Sequence, residues 1–120
     1  MQKMNSESSI EQFRSVAALS LAELNVQYGE DLMSWLTMFV QDQLIGVELP
    51  PINTPESFAE AVKMLANNKR AWSQRLGTLV IDQVDSQSSE ERAAADEQLR
   101  EFSATCPWKF LRQSAANKIE

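Results

Sequence analysis

Histidine is absent from this sequence, and glycine, proline and cysteine are scarce, with three, four and one copies. The missing histidine removes Ser/His/Asp and Cys/His catalysis, histidine-ligated zinc and the Glu-x-x-His di-iron site of helical bundles. The glycines, Gly29, Gly46 and Gly77, stand too far apart to build a phosphate-cradling loop. Cys106 can form no internal disulfide, so the chain needs no oxidising compartment. The most apolar run, Leu32 to Val40, is far short of the roughly 20 residues that span a bilayer. The first nine residues lack the apolar core of a secretory signal. The expectation is a cytoplasmic protein with no cofactor, no metal site and no transmembrane segment.

What remains is an ordinary globular composition. The 120 residues are 43% hydrophobic, and three tryptophans argue against disorder. One domain is expected over residues 9–116, between a flexible N-terminus (1–8) and a polar tail (117–120). Eleven bases stand against seventeen acids, net −6, with an isoelectric point near 4.7. Such a chain is a poor general nucleic-acid binder, because phosphate neutralisation supplies most non-specific affinity.

The hydrophobic pattern is helical throughout and predicts an all-α fold. Between Ser9 and Gln43, apolar residues recur as Ile10, Phe13, Ala17; Leu21, Leu24, Tyr28; and Leu32, Trp35, Phe39. Each triplet begins eleven residues after the last, which keeps the stripe on one face of a nearly straight helix. Ser8 and Glu11 read as its capping box, and Gly29 as a possible bend. Thr54-Pro55-Glu56 opens a second long helix, which continues through Val84 with Gly77 as its own possible bend. Its near-heptad stripe is Phe58, Val62, Leu65, Trp72, Leu76, Leu79, Val80 and Val84, with Lys69 and Gln83 at positions where apolar residues would continue it. Ser88 and Glu91 cap a third, shorter helix that Pro107 stops, and a short fourth is expected from about Pro107 to Ala116.

The arrangement expected is two long antiparallel amphipathic helices with the two shorter ones docked on them. Unbroken, the long helices span about 52 and 45 Å, against a diameter of roughly 35 Å for a compact domain of this length. Either they bend at Gly29 and Gly77, or an elongated hairpin leaves apolar surface for a homodimer to cover.

Few residues carry a pattern with chemical content. Glu23, Glu30, Asp31 and Asp42 read as a solvated face, since no apolar neighbours stand by to raise a carboxyl pKa. Cys106 reads as a small buried hydrophobe. Lys63, Lys69, Arg70 and Arg75 form a basic ridge around Trp72, suited to an acidic partner protein. Trp108, Lys109, Phe110 and Arg112 combine interface-type anchors with core-type hydrophobes. The function expected is non-enzymatic protein–protein interaction: an adaptor, a secretion chaperone or a toxin-neutralising immunity protein. The alternative is a helical coat protein, whose eleven-residue stripe lies on a lipid or polymer granule.

Overall fold

A computed structural model describes residues 6–119, with side chains from Ser9 onward. Every regular element among the described residues is a helix, as the periodicity predicts. The elements are α1 (Ser6–Ala17), α2 (Leu21–Gln27), α3 (Glu30–Gln43), α4 (Pro55–Val84), α5 (Ser89–Thr105) and α6 (Lys109–Lys118). None is long and apolar enough to cross a membrane. The chain divides into two compact units, and the division falls between Asn68 and Lys69, within α4.

The first expected long helix is three helices. One break falls at residues 18–20, because Ser20 starts a new helix with a reciprocal capping box. The Ser20 hydroxyl accepts from the Glu23 N–H at 3.1 Å, and the Glu23 carboxylate accepts from the Ser20 N–H at 3.0 Å. The second break is the one anticipated at Gly29, which adopts extended backbone (φ −179°, ψ 177°) as N-cap of α3. Glu30 and Asp31 then complement the positive end of that helix. The breaks separate the apolar triplets, so the eleven-residue period marks a succession of short helices rather than one straight rod. The expected Ser8 cap is also displaced, because α1 already begins at Ser6.

Chain entry into α4 matches the expectation from Thr54-Pro55. The Thr54 hydroxyl accepts from the Ser57 N–H at 3.1 Å, while the Ser57 hydroxyl accepts from the Thr54 N–H at 3.0 Å. Gly77 produces no break; the helix runs through it for 30 residues. A mid-helix glycine costs about 1 kcal/mol relative to alanine, and burial of the flanking Leu76 and Leu79 offsets that locally.

In the unit that ends at Asn68, Phe13 stacks on Phe39 (centroids 4.9 Å apart, planes at 9°), and Trp35 tilts against Phe39 at 5.6 Å. Tyr28 meets Phe58 at 5.6 Å. Leu24, Leu36 and Val62 are completely buried. The chain leaves α3 through Gly46, whose φ of +70° is the left-handed conformation that favours glycine.

In the unit that begins at Lys69, Leu76 and Leu79 of α4 supply buried positions alongside Leu99 and Phe102 of α5 and Leu111 and Ala115 of α6. Trp72 meets Phe102 edge-on at 5.5 Å. Gln83, at the interrupted heptad position, is buried for a polar reason. Its amide donates to the Asp96 carboxyl at 2.8 Å and to the Lys118 carbonyl at 2.6 Å, tying α4 to α5 and to the end of α6. Ser88 caps α5 as expected, accepting from the Glu91 N–H at 3.1 Å.

Candidate functional site

The candidate surface is a cation–aromatic ridge in the unit that begins at Lys69. On α4, Lys69, Trp72 and Arg75 are three residues apart, so they share one side of the helix. The Arg75 guanidinium lies 5.4 Å from the centre of the Trp72 ring, whose edge contact with Phe102 anchors it to the core. Phe110, in the first turn of α6, receives the Lys69 ammonium at 5.9 Å from its ring centre. Phe110 itself stands perpendicular to Trp108 (88°, 6.2 Å), which is completely buried. A buried tryptophan thus props a half-exposed phenylalanine beneath one cation, and a half-exposed tryptophan lies beneath a second.

The sequence-derived candidates divide into several roles. Lys69, Arg75 and Phe110 come together on the ridge. Lys63 belongs to the other unit, where its ammonium donates to the Ala17 and Leu19 carbonyls at 2.7 and 2.6 Å. There it terminates α1 by satisfying carbonyls that have no partner within the helix. Arg70 is exposed on a different side of α4, and Lys109 is exposed at the start of α6. Trp108 offers no free surface. The Arg112 guanidinium donates to the Cys106 carbonyl, which joins it to the turn between α5 and α6.

Sequence reasoning overlooked the role of Glu23. Its backbone and side-chain hydrogen bonds with Ser20 hold the carboxyl below the ordinary carboxylate range, with a smaller contribution from the Lys63 charge. The Ser-Leu-Ala-Glu spacing was a readable capping signal. Glu30, Asp31 and Asp42 are exposed, in keeping with a solvated face. Among the described residues, no three acidic or sulfur ligands converge as a metal site would require.

Cys106 is completely buried, and its thiol donates a long contact of 3.8 Å to the Trp108 carbonyl. Burial pushes the thiol pKa up, against smaller opposing effects from a Trp108 backbone hydrogen bond and the Arg112 and Arg75 charges. The unfolded thiol therefore ionises first as pH rises. Between the unfolded and folded values the unfolded chain binds fewer protons, so stability falls with increasing pH above about pH 8.5. Denaturant titrations from pH 7 to 10 should show a steeper decline for the wild type than for Cys106→Ala. Iodoacetamide should modify the folded thiol about 100-fold more slowly than the unfolded one. Equal rates would show an accessible, activated thiolate instead.

No family model, curated protein or solved structure matches the chain.

Proposed function

We propose that this chain is a non-enzymatic protein-interaction protein, of the adaptor, secretion-chaperone or immunity-protein kind, and that it receives an acidic partner on the Lys69–Trp72–Arg75–Phe110 ridge. The observation that carries this reading is the placement of two cations over half-exposed aromatic rings that are themselves anchored in the core. Rigid aromatics under basic groups offer large contact area with little ordering entropy left to lose.

Charge distribution supports the same surface. Residues 1–68 carry nine acids and three bases, whereas residues 69–120 carry eight of each. Eight of the eleven bases thus belong to the unit that bears the ridge, and the net negative charge belongs to the other. An acidic partner is steered toward the former and repelled by the latter. The granule-coat alternative draws no support from α1–α3, because the stripe it needs is interrupted twice, and Ile10, Phe13, Leu24 and Phe39 are buried.

The test is purification of the tagged protein from its native host, followed by affinity measurement with the partner that co-elutes at fixed ratio. Cation–aromatic contacts of this exposure are worth about 0.5–1 kcal/mol each, and reversing both charges adds repulsion against an acidic surface. Lys69→Glu/Arg75→Glu should therefore weaken binding by more than about tenfold, with the helical circular dichroism unchanged. A partner bound equally well by this variant would place the interface elsewhere.

A further inference from the structure

The exposed face of α4 beyond Lys69 has a pattern that the partner-binding ridge does not use. Arg70, Gln74, Gly77, Ile81 and Val84 follow one another at spacings of four, three, four and three. That is the seam spacing of a coiled coil. All five are exposed, with Ile81 and Val84 retaining 60% and 74% of their accessible surface. Two β-branched hydrophobes on one solvent-facing stripe are apolar surface that the fold leaves uncovered. The glycine among them is equally unexplained from within. A Cβ added at Gly77 would meet nothing within 4 Å, so no contact inside the chain requires its bareness.

The charges along this face run in a definite order. A base, Arg70, stands at its beginning, and an acid, Asp85, borders its end next to Val84. Such an order is complementary to itself only when reversed. A parallel copy would set Arg70 against Arg70 and Asp85 against Asp85. An antiparallel copy related by a twofold axis beside Gly77 sets Arg70 opposite the second copy's Asp85, and Gln74 opposite its Ile81. The two glycines then fall at the crossing, where the missing side chains let the axes approach toward the short end of the usual 8–10 Å.

We propose that this face binds the same face of a second copy of the chain, antiparallel, about a twofold axis beside Gly77. The inference is independent of the acidic-partner reading, because Lys69, Trp72, Arg75 and Phe110 take no part in it. The stretch from Arg70 to Asp85 spans about 22 Å, so the interface is at the small end of specific contacts, and its affinity is in the micromolar range.

Sedimentation equilibrium of the full chain between about 1 and 200 µM tests this. The average mass should rise from 13.5 kDa toward twice that value with concentration. Arg70→Glu should weaken association by about tenfold or more, and Arg70→Glu/Asp85→Lys in one chain should restore it, since the reversed order is again self-complementary. Gly77→Leu should raise the melting temperature of the dilute monomer, because leucine is the better helix former, yet abolish association. Those opposite signs separate a crossing point from a mere weak spot in the helix. A monomer at every concentration, association indifferent to Arg70→Glu, or a double reversal no better than the single one would each overturn the proposal.

Discussion

Trp108→Ala is expected to lower the stability of the chain by about 3–5 kcal/mol, the range for truncating a fully buried large aromatic. Trp108 is the largest completely buried side chain and sits at the start of α6. Its carbonyl accepts the Leu111 and Arg112 N–H groups at 3.1 and 3.0 Å, so the residue that fills the core also begins the helix. Removing the indole deletes apolar area and leaves a cavity next to Phe110, whose edge-to-face contact is lost. Domains of this size have about 5–15 kcal/mol in total, so the variant loses a large fraction of it. In urea the midpoint should fall by roughly 1.5–3 M. Lys109→Ala, one residue along and exposed, should stay within about 0.5 kcal/mol of wild type. Equal losses at the two positions would mean that Trp108 is not the core anchor of α6.

The helical class and most helix boundaries were legible because they are local. Thr54-Pro55 and Ser88-Glu91 announce their helices through capping chemistry that acts within four residues. The apolar spacing of α4 names buried positions such as Phe58, Val62 and Leu76. The breaks in α1–α3 were harder to read, because the apolar period continues across them without a phase error. A stripe repeated every eleven residues fits one straight helix and three short ones equally well. The Ser20–Glu23 box and Gly29 are the local signals that distinguish the two, and the box was overlooked beside the longer pattern. The two glycines could not be ranked by sequence. Gly29 ends a helix and Gly77 does not, since the residues around Gly77 pack on a helical face and those before Gly29 leave it, with Tyr28 already at ψ 135°.

The candidate site was legible in its cations and illegible in its pairing. Lys69, Trp72 and Arg75 lie near one another on α4, so their ridge follows from helix geometry alone. That Phe110 stands under Lys69, forty-one residues away in the chain, is a tertiary fact. So is the diversion of Lys63 to the end of α1, which turns an apparent binding residue into a structural one. Gln83 marks the same limit from the other side. An amide inside an apolar stripe reads as a defect until Asp96 and the Lys118 carbonyl are placed beside it.

Leu24→Ala should cost about 2–5 kcal/mol and unfasten α2 from the unit that ends at Asn68. The helix α2 has seven residues, and helices shorter than about 12–15 are marginal in water on their own. Leu24 is its one buried side chain and is completely inaccessible, whereas Leu21 and Val26 keep 55% and 85% of their surface exposed. The capping box adds only local stabilisation; Ser20→Ala should cost about 1 kcal/mol. The helix is therefore held by a single apolar anchor. Truncating it removes the one contribution large enough to offset the ordering entropy of the segment. Amide hydrogen exchange should show the consequence directly: protection across residues 21–27 collapses in Leu24→Ala while that of α5 and α6 is reduced far less. Val26→Ala is the matched control on the exposed side and should stay within about 0.5 kcal/mol of wild type. If Leu24→Ala cost less than about 1 kcal/mol, or if Val26→Ala cost as much, α2 would be held from its outer face instead, and the buried Leu24 would be a passenger rather than the anchor.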